Sequence, residues 1–272
     1  MEIAFLIFLG IVGGLLSGML GVGGGIFYIL IFPYLMFSHG IPTEAIPQYV
    51  IANSIFAIMI ASSFSVIGYK KIGIFPRKEI FTFGISAAVV AQLSLNFIVM
   101  QPWYSKTVFN ILVIFLMFYI LFQLYLELKV KKEENGQINV KQSIVGGSLS
   151  GFVSVLSGLG GGIIIIPWLS IRYKIPMVKA KIISLATILI SSISVTVNNL
   201  LSQPSIQPEN MLTIGYIIPS CVVPITIGSL VGSNLGIKWS SKIKRIYLDL
   251  LFIFFVVLVL LEKIYGLISP AY

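Results

Sequence analysis

Residues 14–25 read GLLSGMLGVGGG and residues 151–162 read GFVSVLSGLGGG. Aligned at a separation of 137 residues, they match Gly14 with Gly151, Ser17 with Ser154, Gly21 with Gly158, and Gly23, Gly24 and Gly25 with Gly160, Gly161 and Gly162. Each stretch lies inside one apolar run, the first at 3–38 and the second at 142–171. A glycine costs about 1 kcal/mol in a helix interior, so four within five positions disfavour a continuous helix by several kcal/mol. Both runs are expected to unwind at the glycines and fold back as hairpins. At 1.5 Å per residue, the arm from 163 to 171 reaches only about 14 Å, roughly half the hydrocarbon thickness, which places the hairpin tip near the midplane.

The rest of the composition agrees with a lipid environment. Of 272 residues, 57% are apolar and 10% charged, and the mean hydropathy is +1.03. A soluble domain carries roughly 25% charged residues, so this chain cannot cover a water-facing surface. The expected fold is all-α and integral to the membrane, with eight apolar runs at 3–38, 46–69, 80–100, 107–127, 142–171, 182–200, 211–236 and 246–268. One histidine, His39, and one cysteine, Cys221, cannot supply a disulfide, a zinc site or a Cys/His catalytic pair. No enzyme activity, cofactor or metal is expected. The first run lacks a preceding basic region and is expected to be retained rather than cleaved.

The net charge of +9 is a matter of position. Lys70, Lys71, Arg77 and Lys78 form one cluster, and Lys129, Lys131, Lys132 and Lys141 a second. Arg172, Lys174, Lys179 and Lys181 form a third, and Lys238, Lys242, Lys244 and Arg245 a fourth. The positive-inside rule places all four in the cytoplasm, so no nucleic-acid partner is needed to explain them. The run 142–171 then begins and ends on the same side and must be a hairpin. The first half, 1–127, and the second, 142–272, are joined by a solvated cytoplasmic loop, 128–141. Each half is a glycine-broken hairpin plus three spans, an odd number of crossings, so the halves are expected to be inverted repeats with both termini outside a cell membrane. Such repeats with interrupted helices characterise secondary transporters.

Past each tip a new helix starts near Ile26 and Ile163, with free N–H groups and a positive dipole end, a combination that binds anions. The expected substrate site is Gly21, Gly23, Gly24, Gly25, Gly158, Gly160, Gly161 and Gly162, with Ser17 and Ser154 of the same motifs. Asn53, Ser54, Ser184 and Thr187, neutral polar residues some 25 to 30 positions beyond the glycines, complete it; they can ligate an anion without the cost of a buried charge. The pairs Gly14/Gly18 and Gly147/Gly151, with Gly228/Gly232/Gly236, read instead as close helix packing. Asp249, one turn past Arg245, reads as half of an i,i+4 ion pair. Neither glycine run continues as a nucleotide-binding loop.

The motifs LLSGMLGVGGGIFYI and FVSVLSGLGGGIIIIP, with Gly228, Gly232 and Gly236 in a late span, resemble those of the sulfite exporter TauE/SafE family over essentially the whole chain. The first motif departs by Leu30 in place of proline and the second by Val155 in place of glycine, and the third span carries Ala91 and Leu95 where its later copy has glycines. The resemblance implies transport of small anions such as sulfite or organosulfonates, with export the expected direction. The leading expectation is alternating access around the paired tips, and a passive anion channel or a scaffold without cargo are its alternatives. The residues leave open whether a proton, a sodium ion or neither is coupled.

Overall fold

The computed structural model describes residues 2–70, 75–129, 136–204, 206–208, 212–240 and 242–268. Lys71, Lys131, Lys132, the middle of the 128–141 loop and the side chain of Arg245, and with it the expected Arg245–Asp249 pair, lie outside the described residues. Among those described, the secondary structure is helical apart from one isolated bridge between Ile214 and Ile217. The first half comprises α1 (Glu2–Leu20), α2 (Gly25–Ser38), α3 (Ile46–Lys70), α4 (Arg77–Ser94) and α5 (Lys106–Lys129). The second comprises α6 (Val140–Ser157), α7 (Gly162–Pro167), α8 (Met177–Leu201), α9 (Pro219–Ser240) and α10 (Arg245–Ile268). Among the described residues, seven helical segments are long and apolar enough to cross a membrane, while Gly25–Ser38 and Gly162–Arg172 are shorter apolar arms.

Both glycine runs break the helix where the composition requires it. α1 ends at Leu20 and α2 begins at Gly25; α6 ends at Ser157 and α7 begins at Gly162. The seventh apolar run differs from the sequence expectation of 211–236, because its helix starts only at Pro219. Proline lacks an N–H and is suited to the first helical turn. Residues 214–217 form a tight turn ahead of it, with Tyr216 N–H donating to the Asn199 carbonyl at 3.0 Å.

Packing follows an exchange of the two halves. α1 lies along α9 and α6 along α4, α3 packs on both α8 and α9, α8 packs on α4, and α5 pairs with α10. Glycines make the first two contacts close. A Cβ on Gly10, Gly14 or Gly18 would fall 2.0 to 2.4 Å from the carbonyls of Ile225, Ser229 and Ser233. Conversely, one on Gly228, Gly232 or Gly236 would meet those of Ile7, Ile11 and Leu15 at 1.9 to 2.3 Å. The rising numbers on both helices show that α1 and α9 run parallel. Gly147 and Gly151 approach the carbonyls of Phe83 and Ala87 at 2.5 and 2.1 Å in the same way, so α6 runs parallel to α4. These glycines are packing residues, as their spacing implied.

α4 and α8 are also parallel, tied by Lys179–Glu79 at 2.8 Å and Ser194–Gln92 at 3.2 Å and, just past the end of α4, by Asn198–Asn96 at 3.1 Å. On the opposite heading, α3 follows α9 through Asn53 to Ile218 at 2.9 Å and Ser233 to Ala61 at 3.2 Å. α3 and α4 are consecutive and joined by a short connection, so the two parallel sets, α1/α3/α9 and α4/α6/α8, point in opposite directions. α5 and α10 sit at the periphery and turn Phe115, Phe118, Phe122 and Phe254 outward, as lipid-facing helices do.

Candidate functional site

Each tip is built by the same backbone. The last turn of α1 closes with Gly21 N–H on the Ser17 carbonyl at 3.0 Å, and that of α6 with Gly158 N–H on the Ser154 carbonyl at 2.8 Å. The chain then passes through left-handed conformations at equivalent positions: φ is +79°, +79° and +75° at Gly21, Gly23 and Gly24, and +69°, +86° and +69° at Gly158, Gly160 and Gly161. Any side chain there would be strained. Gly24 and Gly161 are the N-caps of α2 and α7, and their carbonyls receive the first intrahelical bonds, from Phe27 and Tyr28 and from Ile164 and Ile165. Among the described residues no side chain caps either helix; Gly162 N–H turns back to the Gly160 carbonyl at 2.9 Å, and the remaining first-turn N–H groups and the dipole of each N-terminus point at the turn.

The two tips touch. A Cβ on Gly25 would lie 2.2 Å from the Leu159 carbonyl, and one on Gly162 would lie 2.8 Å from Val22 Cα, which are equivalent contacts under the exchange of halves. The helices α3 and α8 clamp this junction from either side. Ser54 donates to the Gly158 carbonyl at 3.0 Å, and Ser184 to the Gly21 carbonyl at 2.8 Å, so each serine holds the tip of the other half. One turn further on, Ile58 and Ile188 both lie against Gly23 and Gly160. These isoleucines stand near the middle of α3 and α8, which sets the tips at mid-depth of the helical bundle.

The sequence-predicted site residues divide accordingly. All eight glycines, Ser54 and Ser184 come together at the junction. Thr187 is fully buried on α8 beside Ile188, and its hydroxyl has no hydrogen-bond partner. Ser17 turns away to Ser65 at 3.3 Å, and Ser154 meets its tip through its carbonyl. Asn53 serves a different purpose: its amide donates to the Tyr49 and Tyr216 carbonyls at 2.8 and 2.9 Å and accepts from Ile218 N–H at 2.9 Å. It thereby fastens the 214–218 turn across the end of the bundle opposite the cation clusters.

The structure adds several residues to the expected site. Ser62 is fully buried with an unpartnered hydroxyl, and its Oγ lies 3.4 Å from where a Cβ on Gly23 would be. An unsatisfied hydroxyl beside a glycine turn is expensive to keep unless something hydrogen-bonds to it. Ser150 donates to the Gly161 carbonyl at 3.1 Å, and the Tyr28 ring covers Gly13. Lys181, counted among the loop cations by its sequence neighbours, is buried in a cavity of about 80 Å³ next to the first tip. Its place one turn before Ser184, on the face shared with Ile188, is the pattern that reveals it.

Comparison with known proteins brings the architecture into a family context. A sequence model described as sulfite exporter TauE/SafE matches residues 6–262. A protein of Methanocaldococcus jannaschii named as a probable membrane transporter is 30% identical over 251 residues, covering 90% of this chain and 89% of that protein. A probable membrane transporter protein of Bacillus subtilis is 24% identical over 274 residues, covering 92% and 96% respectively.

Proposed function

The chain belongs to the sulfite exporter TauE/SafE family, and from that premise we propose that it moves a small oxyanion, sulfite or an organosulfonate, by alternating access around the two hairpin tips. That it is a multi-pass membrane transporter follows from the family and the seven apolar helices. The anion is our reading, and one observation carries it: two helix N-termini meet at mid-depth, flanked by the neutral hydroxyls of Ser54, Ser62 and Ser184. Such a junction attracts negative charge without binding it so firmly that release is blocked.

The two halves, 1–127 and 142–272, act as inverted repeats in this scheme. Each tip is held by a serine of the other half, so a tilt of one half against the other repositions both tips together. The cation-rich end, including Lys70, Lys78 and Lys238, lies in the cytoplasm of a cell membrane, and both termini lie outside. Export is the proposed direction.

The test is counterflow of labelled sulfite in proteoliposomes with the native chain, Gly24→Leu and Gly161→Leu. The native chain is expected to exchange sulfite and both variants to lose exchange while still inserting; undiminished exchange in both would falsify the site. Accumulation of sulfite against its gradient separates a carrier from a channel, and the absence of oxyanion flux in the native chain favours a scaffold.

A further inference from the structure

We propose that the Lys181 ammonium is the point where an oxyanion docks between the cation-rich end of the molecule and the paired tips; this rests on the anion reading above. The exchange of halves singles the residue out. On α3, Ile51, Ser54 and Ile58 face the second tip: Ile51 lies against Gly158, Ser54 bonds its carbonyl and Ile58 covers Gly160. On α8, the equivalent positions are Lys181 against Gly21, Ser184 on its carbonyl and Ile188 near Gly23. The pattern differs only at its first member, where an isoleucine becomes a lysine.

That lysine is 8% exposed. Its Nζ donates to the Met19 carbonyl at 2.5 Å and to Ser240 Oγ at 2.8 Å. Capping α1 does not require it, because Ser240 Oγ itself donates to the Met19 carbonyl at 3.2 Å. An ammonium has three donors, so one remains for the cavity of about 80 Å³ that Lys181 lines with Val22, Ile163, Ile166 and Asp249. A water needs roughly 10–15 Å³ of such space, so there is ample room for one small oxyanion. Val22 belongs to the first tip and Ile163 to the first turn of α7, so the cavity abuts the junction. A charge buried in a membrane protein is costly and marks ion pathways. Asp249, which also lines the cavity, opposes an incoming anion, and weakens the site enough for the anion to leave it.

The experiment follows thermal unfolding of the full chain in detergent as sulfite is titrated, for the native protein, Lys181→Met, Lys181→Arg and Asp249→Asn. Lys181→Met is expected to raise the half-stabilising sulfite concentration about tenfold or more, and Lys181→Arg to keep it within about threefold, since the charge is retained. Asp249→Asn is expected to lower it a few-fold, and this variant decides the matter should Lys181→Met fail to fold. A purely structural lysine would lower the melting temperature without sulfite and leave the half-stabilising concentration unchanged; that result, or an unchanged or raised value in Asp249→Asn, overturns the docking role. If sulfite, sulfate and sulfoacetate all fail to stabilise the native chain and fail to exchange in proteoliposomes, the anion reading falls and takes this inference with it. A responsive native chain with an indifferent Lys181→Met removes the inference alone.

Discussion

The two hairpins share a backbone and differ in what surrounds it. Both tips pass through left-handed glycines at the same three positions and both receive a serine from the opposite half. Yet the first tip is flanked by Gly13 and the Tyr28 ring, while the second has Ser150 on the Gly161 carbonyl and Ile165 in the place of Tyr28. The returning arms also differ. α2 runs 14 residues with Pro33 inside it, whereas α7 lasts 6 residues to Pro167 and passes into a π-helical turn at Trp168–Arg172. Proline removes an intrahelical bond, and a wider turn is one way for the backbone to recover its pairing. The repeat preserves backbone geometry where two tips must meet, and leaves side chains free to make the two approaches to them unequal.

The largest expected effect breaks what the tips share. Gly25→Ala places a methyl 2.2 Å from the Leu159 carbonyl, and Gly162→Ala places one 2.8 Å from Val22 Cα beside Ser184 Oγ at 2.9 Å. Overpacking of this kind costs about 1–3 kcal/mol or more, so both variants are expected to melt earlier in detergent and to lose sulfite exchange. Gly25→Ala should be the worse, because the obstruction is a backbone carbonyl that cannot rotate away. Equal melting temperatures for both variants and the native chain would show that the tips separate readily.

Next come the cross-half serines. Ser184→Ala removes a bond of 2.8 Å to the Gly21 carbonyl. Ser54→Ala removes one of 3.0 Å to Gly158 from a hydroxyl that also reaches the Ile51 carbonyl at 3.2 Å. Hydrogen bonds inside membrane proteins average about 0.6 kcal/mol and reach about 1.7, and loss here leaves a buried carbonyl unpaired. Each variant is expected to lose roughly 1 kcal/mol, Ser184→Ala slightly more because its donor is undivided. A double variant should lose their sum if the clamps act independently, since the bonds share no atom. Ser150→Gly then gives the second tip the glycine that the first has at Gly13; it forgoes the bond to Gly161 and should cost about 1 kcal/mol by melting, with exchange retained. A loss of exchange there would make Ser150 part of the transport path.

Much of this could be read in the sequence because its cause is local. Glycine runs disfavour a helix wherever they occur, apolar length announces a span, and Ser54 and Ser184 both lie on the span that follows their motif. The site residues that were missed depend on pairings no window reveals. Lys181 reads as one more loop cation until α8 is seen to begin at Met177 and carry it inward beside Gly21. Asn53 looks like a ligand because it is polar and one residue from Ser54. A step of one residue turns a helical side chain by about 100°, which sends it to the 214–218 turn instead of the tip. Ile58 and Ile188 carry no chemical signal at all, although they fill the space between the tips.

The two ends of the bundle extend the same comparison. Under the exchange of halves, the α4–α8 contact at the cation-rich end corresponds to the α9–α3 contact at the other. The first is tied by Lys179–Glu79 at 2.8 Å, with side chains 31% and 22% exposed; the second by the two hydrogen bonds that fully buried Asn53 makes to Tyr216 and Ile218. A partly exposed ion pair contributes about 1 kcal/mol or less and is screened by salt, whereas emptying the Asn53 position strands the Ile218 N–H and the Tyr216 carbonyl. Asn53→Ala is therefore expected to cost about 2 kcal/mol at any ionic strength. Lys179→Met should give the smallest effect, below about 1 kcal/mol, visible as a melting difference at low salt that disappears near 1 M. The end closed by the ion pair is then the easier to open, and it is the end from which Lys181 faces the tips. Should Lys179→Met prove as damaging as Asn53→Ala, the cation-rich end is locked as firmly as its counterpart and the first opening must be sought at the 214–218 turn.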